Sequence, residues 1–166
     1  MSLLWRTGVA PSDFTAMPES PYVRDEDPVG VMGLVEPKGH RDIETDGAVY
    51  TYGSTTCAGW GVHDPEGAAT SCGPVYGEEQ TPARGEVRAI VQVAESVNEQ
   101  VTIVADNIYA VNAASDIIEG RSPPENAHMD LWDRLSVRKH FIRAAKWIKS
   151  HMKAGEAHER GFTEYQ

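Results

Sequence analysis

Long apolar runs are missing from this sequence, and none approaches the roughly 20 residues that a membrane-spanning helix needs. The first six residues also lack the charged start, apolar centre and small-residue exit of a signal peptide. Cysteine is scarce, and Cys57 and Cys72 alone make neither a disulfide framework nor a zinc site. We therefore expect a soluble intracellular protein, cytoplasmic or nuclear, whose cysteines are free thiols.

Positive charge is also in deficit, because 15 Lys and Arg face 25 Asp and Glu for a formal net charge of -10 at pH 7. This balance argues against non-specific binding of nucleic acid over the whole surface. Residues 134–155 are the exception, since they hold seven Lys and Arg and no Asp or Glu. This basic stretch is either a phosphate-binding face on an acidic protein or a solvated charged surface.

Residues 1–41 are interrupted by five prolines and show no sustained periodicity. We interpret them as a Pro-rich N-terminal extension or tether. Alternation then predicts three strands over 43–50, 58–62 and 69–76. Residues 63–67 have the composition of a turn. The three strands form an antiparallel meander, and its glycines permit close approach of other backbone.

A helix is predicted to begin at Thr81-Pro82, because Thr is a good N-cap and Pro suits the first helical position. Val101–Ala105 is β-branched and uncharged, which is typical of a strand covered on both faces. The remaining predicted elements are helices over 108–118 and 130–135 and a last strand within 141–150. This order predicts an α/β fold with a mixed five-stranded sheet and helices on both faces, because parallel strands need a right-handed crossover.

Three acids occupy suggestive places: Asp46 within a strand, Glu86 on the first turns of a helix and Asp106 at the end of a strand. Two of them have an ordinary explanation, since Asp106 would cap the next helix and Glu86 would respond to the helix dipole. If folding brings them together, however, they repel one another unless a cation lies between them. Carboxylate oxygens suit Mg²⁺ or Mn²⁺, and two such ions can clamp a phosphodiester.

Six short motifs lie in order between residues 42 and 160. They are Thr45-Asp46-Gly47, Ala58-Gly59-Trp60-Gly61, Thr81-x-x-Arg84-x-Glu86, Ala105-Asp106-Asn107-x-Tyr109-x-Val111, Asp130-Leu131-Trp132 and Lys146-Trp147-Ile148-Lys149-x-His151. Their order and spacing resemble type 1 ribonuclease H, so residues 42–166 are interpreted as a ribonuclease H-like domain. The proline-rich lead-in and the loop around His151 resemble the ribonuclease H module of a retroelement polyprotein.

The resemblance implies cleavage of the RNA strand of an RNA–DNA hybrid with two Mg²⁺ ions, for which Mn²⁺ would substitute. Asp46 would bridge both ions, and Glu86 and Asp106 would hold the ion on the leaving-group side. His151 would be catalytic by assisting water movement or product departure. The predicted partners are the hybrid and a reverse transcriptase domain of a parent polyprotein, with no membrane, and we expect a monomer. The predicted nucleic-acid contacts are Thr81, Arg84, Asn107, Lys146, Lys149 and Lys153.

The sequence departs from this family in two places. The family's fourth carboxylate is an Asp on a final helix, and no Asp follows Asp133 here. We expect either that the chain ends before that helix or that Glu164 substitutes, and activity would be impaired. Ile108 also stands where the family has a hybrid-contacting Gln. Three functions stay open: an active ribonuclease H, a non-catalytic hybrid-binding or structural module, and a related nuclease acting on DNA ends or single strands.

Overall fold

The computed structural model describes residues 41–66, 69–122 and 128–149. These ranges contain five strands and three α-helices. The strands are β1 (Asp42–Tyr52), β2 (Thr55–Asp64), β3 (Ala69–Pro74), β4 (Val101–Ala105) and β5 (Ile142–Trp147), and the helices are α1 (Pro82–Ser96), α2 (Ile108–Ile118) and α3 (Met129–Arg138). The predictions for residues 1–40, His151, Lys153 and Glu164 lie outside the described residues.

The strands form one mixed sheet in the order β3-β2-β1-β4-β5. Strand β2 runs antiparallel to both β1 and β3, whereas β4 runs parallel to both β1 and β5. The predicted fold class is therefore confirmed. Strand β4 ends where its residue Ala105 pairs with Thr45, while β1 continues. Asp46 of β1 consequently stands beside the point at which the chain leaves β4.

Several predicted boundaries were wrong: the second strand begins at Thr55 and not at residue 58, and the third ends at Pro74 and not at residue 76. His63 and Asp64 were predicted to lie in a turn, but both belong to β2. The strand continues because the His63 ring bonds to Thr70 on β3 at 2.9 Å and the buried Asp64 carboxylate pairs with Arg41 at 2.6 Å. Phe141 was predicted to be in the last strand, yet it ends a short 3₁₀ turn, and β5 begins one residue later.

The core is a single hydrophobic cluster to which β1, β2, β4, β5 and all three helices in the described ranges contribute, and Val75 joins it just after β3. All five residues of β4 are buried, as predicted. Helix α3 seals the cluster with Leu131, Trp132 and Leu135. None of the helices in the described parts of the chain is long and apolar enough to cross a membrane.

Helix α1 is buried on nearly all sides rather than along one stripe, since residues 85–94 are all buried. Two of its buried polar side chains bond within the fold: Arg88 donates to Gln92 at 2.8 Å, and Glu95 accepts two bonds from Arg134 of α3. Arg138 of α3 donates to main-chain oxygens at the end of α1. Two arginines of the basic stretch therefore hold helices together.

Helix α1 crosses the sheet at glycines. A Cβ on Gly85 would lie 2.6 Å from the carbonyl oxygen of Gly59, and a Cβ on Gly47 would lie 2.7 Å from the carbonyl carbon of Gly85. Both distances are far below van der Waals contact, and main-chain atoms on both sides leave little room to adjust. Glycine at these positions lets the first turns of α1 touch β1 directly, which brings Glu86 to the sheet.

Candidate metal centre

Three elements bring the three predicted acids together. Asp46 lies on β1, Asp106 follows the last residue of β4, and Glu86 lies in the first turns of α1. One carboxylate oxygen of each lies within 4.8 Å of the others. Asp46 is exposed, Asp106 is half-buried and Glu86 is buried, so the cluster opens to solvent on one side. The prediction that folding assembles these acids agrees with this geometry.

Glu86 has the most perturbed environment of the three. The pKa of its carboxyl group is raised to about 7, chiefly by burial and also by the charges of Asp106 and Asp46, while the main-chain N–H of Gly47 opposes the rise by donating to the carboxylate. The neighbouring negative charges and the loss of water both disfavour the ionised form. A divalent cation would remove this penalty, because only the ionised form binds it.

The ordinary explanation for Asp106 was wrong. The residue that caps α2 is Asn107, whose side-chain oxygen accepts from the main-chain N–H groups of Tyr109 and Ala110 at 3.1 Å each. Because Asn107 supplies the cap, the carboxylate of Asp106 is turned to the other acids instead. At this junction between a strand and a helix, Asn107 therefore caps the helix and Asp106 faces the other two acids.

The donor set fits a hard divalent cation. One oxygen of Glu86, Oε2, is buried and has no hydrogen-bond partner among the residues that the structure describes. A buried carboxylate oxygen without a donor is costly unless a cation meets it. Oxygen ligands alone, with neither Cys nor His in the cluster, suit Mg²⁺ or Mn²⁺ better than zinc. Asp46, Glu86 and Asp106 are therefore the residues that would hold the ion.

Thr81 and Arg84, two predicted nucleic-acid contacts, lie at the start of α1. The Thr81 hydroxyl caps the helix by accepting from the Arg84 main-chain N–H at 3.2 Å, as predicted for an N-cap. The Arg84 guanidinium donates to both oxygens of Asp130 on α3, at 2.6 and 3.1 Å, and this bond lowers the pKa of Asp130. Both side chains have intramolecular roles, and their nucleic-acid contacts stay predictions.

The predicted lysine contacts are spread over the end of β5 and beyond. Lys146 lies 3.2 Å from the carboxylate of Asp42 across the sheet, and both side chains are exposed. Lys149 is exposed just after β5. Lys153 and His151 lie outside the described residues. The lysine contacts also stay predictions, and two arginines of the same stretch, Arg134 and Arg138, join α1 to α3 instead.

Trp147, the last residue of β5, was assigned no role from the sequence. Its indole N–H donates to the main-chain oxygen of Asp106 at 2.8 Å, and the side chain is 45 % exposed. The parallel pairing of β4 with β5 places the two strand ends side by side. The sequence does not give the order of the strands in the sheet, so it could not predict that Trp147 lies next to Asp106.

A mixed five-stranded sheet with one acid on its central strand β1 and one just after β4, reached by an acid from the crossing helix, defines the class of proteins with a ribonuclease H-like fold. The RNase H family model matches residues 41–160, which include all three acids. The chain therefore belongs to the RNase H family. Membership indicates a nuclease domain that acts on RNA–DNA hybrids, and members typically use divalent metal ions. No curated protein matches the chain.

Proposed function

We propose that this chain hydrolyses the RNA strand of RNA–DNA hybrids by two-metal hydrolysis of the phosphodiester. The observation that carries the proposal is the convergence of Asp46, Glu86 and Asp106, with oxygen atoms within 4.8 Å, in a member of the RNase H family. The buried, unpartnered Oε2 of Glu86 supports it, because this atom needs a cation or a proton in the folded protein.

Each acid has a distinct part in the proposal. Asp46, the exposed member, would bridge both ions, and Glu86 and Asp106 would hold the ion on the leaving-group side. Glu86 releases its proton when the site fills, since its pKa of about 7 leaves it partly protonated at neutral pH. The chemistry supplied by bound Mg²⁺ would be activation of a water and stabilisation of the leaving oxygen.

Recognition of the hybrid would rest on residues around this centre. Thr81, Arg84 and Asn107 lie at the starts of α1 and α2, which flank the acids, and we propose that they contact the substrate backbone. Contacts to 2′-hydroxyl groups would distinguish RNA from DNA. His151 would assist water movement or product departure. We propose a monomer that works inside the cell, alone or beside a reverse transcriptase domain of a parent polyprotein.

The direct test is a cleavage assay with an end-labelled hybrid in Mg²⁺ and, separately, in Mn²⁺. The protein should cut only the RNA strand, leaving 3′-hydroxyl and 5′-phosphate ends. Asp106→Asn should lower the rate by at least the roughly 10- to 100-fold that loss of even an outer-shell metal partner costs. Asp133→Asn is the matched control, because Asp133 is exposed on α3.

The other outcomes distinguish the competing functions. Tight binding of the hybrid without any product would favour a non-catalytic module. Equal cutting of duplex DNA would favour a different nuclease of the same superfamily. Equal loss of activity in Asp106→Asn and Asp133→Asn would contradict the assignment of the centre.

A further inference from the structure

The end of β5 carries an exposed aromatic side chain beside the candidate metal centre. Trp147 pairs with Ala105, so its backbone stands next to the residue that precedes Asp106. A second bond strengthens this junction, since the main-chain N–H of Ile148 donates to the Ala105 oxygen at 3.0 Å. The indole N–H in turn donates to the Asp106 main-chain oxygen at 2.8 Å. Trp147 is thereby fixed to the main chain of Asp106, one of the three candidate metal ligands.

The surface near Asp106 on the α2 side is apolar as well. Ile108 is 45 % exposed and Tyr109 is 83 % exposed at the start of α2, two and three residues after Asp106. The other tryptophans in the described ranges, Trp60 and Trp132, are both buried in the core. Trp147 is thus a rigid tryptophan that remains half-exposed, where a core residue would be covered.

We infer that the exposed face of the Trp147 indole contacts a sugar of the hybrid next to the scissile phosphate. The inference rests on the proposed function, because it takes the hybrid as the ligand. A phosphate held at the acids would bring its flanking sugars to the neighbouring surface, and the side chain of the edge strand β5 that bonds to Asp106 is Trp147. The wide, shallow minor groove of an A-form-like duplex exposes sugars to such a contact.

An aromatic contact suits this protein because its charge is unfavourable for binding a polyanion. With a formal net charge of -10, the surface offers few cations, and an apolar contact adds affinity that salt does not screen. The indole is already fixed by its bond to Asp106, so binding orders little that was free before. The contact should therefore contribute equally at low and high salt.

The test is a fluorescence titration of the full chain with hybrid in Mg²⁺, on the Asp106→Asn background so that the substrate is not consumed. Tryptophan emission should change on binding, and Trp147→Phe should abolish most of that change. Trp147→Ala should weaken the affinity about tenfold, a typical effect of removing an aromatic contact with nucleic acid. Trp147→Phe should stay within about threefold of the parent, because it keeps a ring. Val137→Ala, at an exposed apolar residue of α3, should bind like the parent.

Trp147→Phe distinguishes a direct contact of the side chain with the hybrid from a role in holding the Asp106 main chain. Phe keeps an aromatic face but has no N–H for the Asp106 oxygen, so affinities of Phe and Ala variants that fall equally would overturn the inference. An unchanged affinity in Trp147→Ala would overturn it too, while leaving the proposed function intact. If the unsubstituted chain does not bind the hybrid at all, the proposed function fails and the inference fails with it.

Discussion

At the scale of single residues, Glu86 and Asp130 show how environment separates a candidate metal ligand from an acid that pairs within the fold. Asp130 faces Arg84, whose two hydrogen bonds lower its pKa. Glu86 is 5 % exposed, faces two other acids, and has a pKa raised to about 7. Asp130 is stabilised by a cationic partner in the fold, whereas the charge of Glu86 would be balanced only by a bound cation.

The pH dependence of stability should reveal Glu86. The folded state holds the proton of the Glu86 carboxyl group more tightly than the unfolded state does. The stabilisation that this proton brings is therefore fully present below the ordinary pKa of a Glu side chain and is lost as pH rises through the raised pKa of the folded state. Between pH 4.5 and about 7 the free energy of unfolding should therefore fall by about 3 kcal/mol on account of this group. Denaturant unfolding at several pH values without metal measures the fall.

Glu86→Gln is the control for that measurement, because it removes the titrating group and keeps the side-chain shape. The variant should lack this part of the pH dependence, and Mg²⁺ should stabilise the parent at pH 7.5 more than the variant. Parallel pH profiles for the two proteins would mean that Glu86 ionises normally in the fold.

Asn107 combines a helix cap with a predicted substrate contact, and two substitutions separate these roles. Asn107→Ala removes the cap oxygen and should lower the free energy of unfolding by about 1 kcal/mol. Asn107→Ser keeps a capping oxygen but loses the amide N–H₂ group, so it should retain most of the stability and bind hybrid more weakly. Denaturant unfolding and hybrid titration measure the two effects, and unchanged hybrid affinity in Asn107→Ser would leave Asn107 with the cap alone.

At the scale of elements, the site depends on how closely α1 approaches the sheet. Gly47 and Gly85 meet main chain to main chain, and Glu86 follows directly. In an open helix, Gly85→Ala would stabilise by about 1 kcal/mol. Here we expect it to destabilise by about 2 kcal/mol or more, because the new Cβ would strike the Gly59 carbonyl. Thermal unfolding measures the sign directly.

Gly61→Ala is the matched control for the crossing. Gly61 lies in the same sheet opposite Asp46, yet the nearest atom to an added Cβ is 3.9 Å away. This variant should keep its stability within about 0.5 kcal/mol. A stabilised Gly85→Ala protein would show that α1 moves away easily, and Glu86 would then not be held at the sheet by this contact.

Most elements were predictable from the sequence because their signals are local. The Thr81-Pro82 start of α1, the apolar run of β4 and the whole of α2 follow from capping and periodicity. The extension of β2 through Asp64 did not, because it depends on an ion pair with Arg41, far away in the chain. The burial of Arg88 was also unpredictable, since its charge is balanced by Glu95 on the same helix and Glu95 is held in turn by Arg134 of α3.

At the scale of the whole molecule, the acids of the site were predictable and their surroundings were not. The sequence singled out Asp46, Glu86 and Asp106 because each lies in one of the six motifs and in or next to a predicted strand or helix. From the sequence alone either Asp106 or Asn107 could cap α2, and only the structure shows that Asn107 does so. Trp147 depends on the order of strands across the sheet, which no local pattern contains.

The net charge of -10 makes the salt dependence of hybrid binding informative. If Lys146, Lys149 and Lys153 contact phosphates, changing each to Gln should lower the slope of log affinity against log salt by up to roughly one unit per lysine. Lys139→Gln is the control within the same basic stretch, because Lys139 precedes β5 and so lies at its opposite end. An unchanged slope in the triple variant would make these lysines a solvated surface.

The most direct test of the metal centre is paramagnetic line broadening by Mn²⁺ in the amide NMR spectrum of the ¹⁵N-labelled chain. Sub-stoichiometric Mn²⁺ should first erase the signals of Gly47, Glu86 and Asp106 and their chain neighbours, because broadening falls steeply with distance from the ion. Asp106→Asn should require far more Mn²⁺ for the same effect. Broadening that begins at another acidic surface, such as Asp116 and Glu119 at the end of α2, would contradict the account.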